Sequence, residues 1–135
     1  MSTYRVRQIS ELLGVSDDTV RRWAESGRLP ASRDEAGRVT VEGADLAAFA
    51  DVLAAQAVPP LPRRISRTSA GNRLTGLVTR VDRDGMMARV EMRCGPFRLV
   101  SVMTSESVDE LELEPGALAV ASVESHDIVV EVPGN

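Results

Sequence analysis

The chain has 135 residues, of which 43% are hydrophobic and 27% charged, with a formal net charge of −4. That allows one ordinary domain or two very small ones, and it argues against a bulk nucleic-acid coat protein. A local basic face can still bind DNA, so the whole-chain sum decides little. Aromatic residues are only 3%, so the cores must be aliphatic and thin, which favours an oligomeric partner. All 16 basic residues are Arg, so any anion site must use guanidinium or backbone N–H groups. Cys94 and His126 are the single Cys and the single His, which excludes an internal disulfide and a metal site built from this pair. No apolar run is long enough to span a membrane, and the N-terminus lacks a signal peptide's apolar core. A cytoplasmic protein with no membrane partner is expected.

The first element is a short amphipathic helix, marked by Val6, Ile9, Leu12 and Leu13 at helical spacing. Gly14 follows as its C-cap. Ser16 is a good N-cap for a second helix, and Asp17 and Asp18 place negative charge in its first turn. That helix should run to about Ser26 and stop at Gly27, with Val20, Trp23 and Ala24 inward and Asp17, Asp18, Arg21, Arg22 and Glu25 outward. Two short helices joined by a tight Gly-containing turn form a helix-turn-helix unit, whose second helix enters the DNA major groove. Beyond Leu29–Pro30, two extended stretches flank the polar turn Asp34–Gly37, which reads as a hairpin wing. Arg33 and Arg38 flank that turn, within reach of phosphate or the minor groove. Glu42–Leu53 gives a closing helix with Leu46, Phe49 and Leu53 inward.

Residues 57–70 divide the chain: three prolines in four residues, at 59, 60 and 62, precede Arg and Ser. The expected division is a domain at 1–56, a linker at 57–67 and a second domain at 68–135. Residues 1–67 hold 10 Arg and 9 acids, whereas residues 68–135 hold 6 Arg and 11 acids. The acidic second domain is a poor DNA ligand.

In that second domain, strands are expected at Leu74–Val81, Met86–Arg93, Phe97–Met103, Ala117–Val123 and Ile128–Val132. Turn signals lie at Asp82–Gly85 and Gly95–Pro96. Ser105 should cap a short helix through Leu111. Five short strands with one helix suggest a small OB-like five-stranded β-barrel, so the fold class is α+β. Met86, Met87, Met92 and Met103 are expected to fill the core. Cys94 should pack, and His126 should lie in a solvated loop.

Two resemblances sharpen these readings. Ile9-x-x-Leu12-Leu13-Gly14-Val15-Ser16-x-x-Thr19-Val20-Arg21-Arg22-Trp23-x-x-x-Gly27-x-Leu29-Pro30 resembles the MerR-like winged helix-turn-helix class, including its excisionase-type members, over about 3–54. The resemblance implies double-stranded DNA as partner, with contacts from Ser16, Thr19, Arg21 and Arg22 on the recognition helix and from Arg33 and Arg38 on the wing. Tyr4 and Arg5, ahead of the first helix, join that candidate set. The prolines forbid the long coiled coil of the larger family members, so pairing must come from elsewhere.

Over about 68–132 the chain resembles the molybdate-binding Mop/TOBE domain. The segments are Ser69-Ala70-Gly71-Asn72-Arg73-Leu74-x-Gly76, Met103-Thr104-x-Glu106-Ser107, Leu111-x-Leu113-x-Pro115-Gly116 and Val123-Glu124-Ser125. The resemblance implies a homodimer or a trimer of dimers, with molybdate or tungstate held at subunit boundaries. Ser69, Ala70, Gly71, Asn72, Thr104, Glu124 and Ser125 are then the candidate ligand-binding residues. Gly71 stands where the family carries Arg, and Glu124 where it carries Lys. A like charge about 5 Å from a bound anion costs roughly 1–3 kcal/mol for each unit of the anion's charge, so these two positions weigh against molybdate or tungstate as a cofactor.

The residues thus favour a DNA-binding transcriptional regulator whose second domain drives oligomerisation and is a candidate sensor of an oxyanion or another small ligand. Alternatives are a molybdate or tungstate sensor or store, and an architectural, excisionase-like DNA-binding protein. With no nucleophile–base pair, metal cluster or phosphate loop in the sequence, an enzyme is not expected.

Overall fold

The structure, a computed structural model, describes residues 2–57 and 69–134. All of the expected linker except Ala57 lies outside the described residues. The chain divides into two units, Met1–Val58 and Pro59–Asn135.

In the first unit, helix α1 spans Val6–Leu13 and α2 spans Asp17–Glu25. Gly14 ends α1 at φ +70° and returns its N–H to the Ser10 carbonyl, a left-handed conformation that a side chain would strain. Ser16 Oγ accepts the Thr19 N–H at 3.2 Å at the start of α2, a cap of a kind that contributes about 1 kcal/mol. Strands β1 (Thr3–Arg5), β2 (Ser32–Arg33) and β3 (Val39–Glu42) form an antiparallel sheet in the order β1–β3–β2. The β2–β3 hairpin is the expected wing. Strand β1 was not expected; it pairs Tyr4 with Val41. Helix α3 spans Gly43–Gln56, three residues longer than expected at its C-terminal end.

The core of this unit gathers one or more residues from every element but β2. Ile9, Val20, Leu29 and Val41 are fully buried, and Val6, Leu46 and Phe49 nearly so. Trp23 meets Phe49 edge to face, with ring centroids 4.9 Å apart. The Arg28 guanidinium caps both rings and donates to Gln56 Oε1 at 2.8 Å. Leu12, although on the same apolar spacing, is 63% exposed.

The second unit contains β4 (Asn72–Asp84), β5 (Met87–Cys94), β6 (Phe97–Thr104), helix α4 (Ser105–Glu110) and β7 (Leu118–Val123). The strands form one antiparallel sheet in the order β6–β5–β4–β7. A bulge in β4 between Val78 and Arg80 resets the alternation, so that Val78 and Val81 both reach the core, as a bulge permits. Val78, Ala88, Val90 and Val108 are buried there, with Met103, Leu113, Ala117 and Ala119 packed around them. The architecture is α+β and OB-like, as expected.

Three details differ from expectation. Ile128–Val132 carries no strand pairing and follows a 3-10 turn at Ser125–Asp127, so the sheet has four strands rather than five. Strand propensity expresses itself only through packing and pairing, and this β-branched run lies exposed without joining the open edge of β6 or β7. The cap of α4 is Thr104, whose Oγ1 accepts the Ser107 N–H at 3.1 Å, while Ser105 Oγ donates to the Gly85 carbonyl. Met86 and Met87 lie at the β4–β5 turn, 84% and 46% exposed, whereas Met92 is buried. The inner face of the sheet opens into an apolar hollow of about 520 Å³ lined by Val90, Met92, Met103, Leu113 and Val123 among others.

Candidate functional site

The candidate DNA-contacting surface begins with local chemistry at the start of α2. Ser16 Oγ and Thr19 Oγ1 lie 2.9 Å apart, and Arg22 Nη2 donates to Thr19 Oγ1 at 3.2 Å. Asp18 and Arg21 approach to 3.7 Å. Asp18, Arg21, Arg22 and Glu25 follow the spacing of one helix face, and with Ser16 they line a shallow groove.

Beside that face the cations accumulate. Arg5, Arg7, Arg21, Arg33 and Arg38 line one surface depression, together with Gly37 and Val39 of the wing. Turn geometry aims the wing arginines. Arg33 Nη1 donates to the Gly37 carbonyl at 2.7 Å, and Arg38 Nε donates to Asp34 Oδ2 at 3.1 Å. Asp34 Oδ1 accepts the N–H groups of Arg38 and Ala36. The Arg38 N–H chiefly, then its guanidinium charge and the Ala36 N–H, hold the Asp34 carboxyl below its ordinary pKa. The wing tip therefore keeps its ion pair at neutral pH.

Of the sequence candidates for DNA contact, Arg5, Arg21, Arg33 and Arg38 come together on this surface, with Ser16, Thr19 and Arg22 on the adjoining helix face. Tyr4 is set apart: its ring packs against the core and approaches Gly43. Arg7 joins the basic surface and was not among the candidates. The signal was present, because Arg5 and Arg7 flank the buried Val6.

In the second unit Ser69, Gly71, Asn72, Glu124 and Ser125 meet at one corner, where Asn72 pairs with Val123 across β4 and β7. Ser69 Oγ donates to Glu124 Oε1 at 3.2 Å, and Asn72 Nδ2 donates to the Val123 carbonyl. A side chain at Gly71 would collide with the Ser125 hydroxyl. Ala70 belongs to the same segment. Thr104 does not join them. It pairs with Met87, which pairs with Asp84, twelve residues along β4 from Asn72. His126 is exposed beside Asp127.

Comparisons with known proteins divide at the same place. Residues 3–51 match a family profile described as a helix-turn-helix domain, and residues 68–130 one described as a TOBE domain. Among solved structures, a molybdate-binding protein from Sporomusa ovata is 29% identical, with TM-score 0.47, over 49% of this chain and 98% of its own. MopII from Clostridium pasteurianum is 30% identical, with TM-score 0.46, over 49% of this chain and 100% of its own. ModG, titled a cytoplasmic molybdate-binding protein, is 35% identical, with TM-score 0.48, over 50% of this chain and 48% of its own. No curated protein matches the chain significantly. Two profile matches, each coinciding with one structural unit, identify the chain as a helix-turn-helix domain followed by a TOBE domain.

Proposed function

We propose that this protein is a cytoplasmic, non-enzymatic transcriptional regulator that binds double-stranded DNA through its N-terminal domain and self-associates through its TOBE domain. The observation that carries the DNA-binding reading is the convergence of Arg5, Arg7, Arg21, Arg33 and Arg38 on one surface beside the recognition helix. Such a surface neutralises phosphates and orients the helix for base contact. Both matched families are binding domains, which supports a non-enzymatic role. Among the described residues, no helix is long and apolar enough to cross a membrane.

Self-association rests on the second unit. Its apolar hollow is open, and Val129, Val130 and Val132 are more than four-fifths exposed. Strands β6 and β7 present unpaired edges among the described residues, which another strand can extend. A homodimer or a trimer of dimers formed this way would join DNA-binding heads and raise their avidity. It would also offer a route by which a Thr104 approaches the Ser69–Gly71 corner, since in the register of the sheet Thr104 lies beside the Asp84 end of β4 and the corner at its Asn72 end.

Fluorescence polarisation with duplexes from upstream of the protein's own gene tests the DNA reading. Binding should weaken steeply with salt, and Arg33→Ala should lower the salt slope by about 1. A folded oligomer that binds no duplex at low salt refutes it.

The TOBE match favours a second reading, a molybdate or tungstate sensor. At the corner, however, the Glu124 carboxylate already takes the Ser69 hydroxyl. Calorimetry of the full chain with molybdate should show no binding at millimolar ligand. The double substitution Gly71→Arg, Glu124→Lys, which replaces an acid by two cations, should create measurable binding once the Ser125 hydroxyl turns away from position 71. Micromolar binding by the unmodified chain would make the oxyanion its signal.

A further inference from the structure

We propose that Asp18 sets the base preference of the recognition helix, selecting cytosine in the major groove. This rests on the DNA-binding reading above.

The face that would meet the bases is not simply basic. Asp18 and Glu25 bracket Arg21 and Arg22, so the stripe is neutral overall, while the positive charge lies beside it around the wing. Backbone affinity and base reading are thereby separated. The wing-side arginines hold phosphates, and the neutral stripe adds little to that attraction. Residues in the N-terminal half of such a helix lie nearest the base edges. Asp18 is in the first turn of α2, and its side chain is 90% exposed. Among the described residues its one ion-pair contact is Arg21 at 3.7 Å, longer than a hydrogen bond. Arg21 also lines the basic depression.

An ionised carboxylate has acceptors only. Near a phosphate or a guanine edge it is repelled, and that repulsion penalises most sequences. The major groove offers two amine donors, cytosine N4 and adenine N6, but adenine also presents the N7 acceptor beside its amine. Cytosine presents the donor alone, so it is the base an aspartate tolerates best. The acid acts as a filter: it weakens binding to wrong sequences as much as it strengthens binding to the right one.

The experiment is selection from a randomised duplex library with the full chain, comparing the unmodified protein with Asp18→Ala and Asp18→Asn. Ser16 caps α2 independently of Asp18, and circular dichroism would verify that both variants fold. The unmodified protein should enrich sites with one position held by cytosine, preferred by roughly 5- to 100-fold over the other bases. Asp18→Ala should reduce that preference below about 3-fold and raise affinity for unrelated duplexes at low salt. Asp18→Asn should move the preference towards adenine, which an amide reads in bidentate fashion. If the unmodified protein and Asp18→Ala enrich the same motif, or if the motif lacks cytosine at every position, the proposal is wrong while DNA binding stands. If the unmodified protein binds no duplex at all, both readings fall together.

Discussion

Gly76→Ala is expected to unfold the TOBE domain and leave the helix-turn-helix domain folded. A Cβ at Gly76 would fall onto the carbonyl of Arg93 and lie 2.8 Å from Cys94 Sγ. The carbonyl cannot yield easily, because Arg93 is paired on both sides, with Leu77 on β4 and Arg98 on β6. Gly76 is equally fixed, facing Ala119 across β7. Ordinary overpacking of a core costs about 1–3 kcal/mol, and a clash with pinned backbone should exceed it. A domain of this size has only about 3–9 kcal/mol of total stability. Thermal unfolding followed by circular dichroism should lose its β-sheet transition and keep a helical one. An unchanged melt would show that the sheet has slack at this position.

Ile9→Ala should have the complementary effect. Ile9 is completely buried within the cluster of Val20, Leu29, Val41, Leu46 and Phe49. Truncations of this kind cost about 2–5 kcal/mol, the spread reflecting how far the site can collapse. One small core rarely supplies more than about 3–5 kcal/mol, so the N-terminal domain should be largely unfolded at 37 °C and its DNA binding lost. Leu12→Ala is the matched control. Its 63% exposure predicts a change within about 0.5 kcal/mol. Equal effects at the two positions would mean that Leu12 is covered in the working protein.

That pair also shows what the sequence made legible. Helices α1 to α3 and the wing were readable because their signals are local: apolar spacing, the Ser16 cap, the Gly14 stop and the polar turn at Asp34–Gly37. The same spacing placed Ile9 and Leu12 on one apolar stripe, and only the packed neighbours distinguish them. Strand β1 escaped because three residues cannot display alternation, and its pairing with β3 is a tertiary event. At α4 two adjacent hydroxyls competed for one cap. Thr104 took it, and Ser105 turned to Gly85. Of the residues proposed for DNA contact, Arg5, Arg21, Arg33 and Arg38 lie on one surface, which Arg7 also lines, while Tyr4 packs against the core. The corner at Ser69–Asn72 was assembled as expected from segments about 50 residues apart, but Thr104 was not part of it. A sequence pattern gathers the residues of a site without stating whether one chain or two must supply them.

The uncovered Ile128–Val132 segment has a consequence for dosage. If, as proposed, the chain self-associates and covers this segment against another copy, its stability is tied to its own concentration. If joined heads are what hold DNA, occupancy should climb faster than in proportion to the number of chains present. The amount of protein would itself become an input to the switch, read before any small molecule is bound.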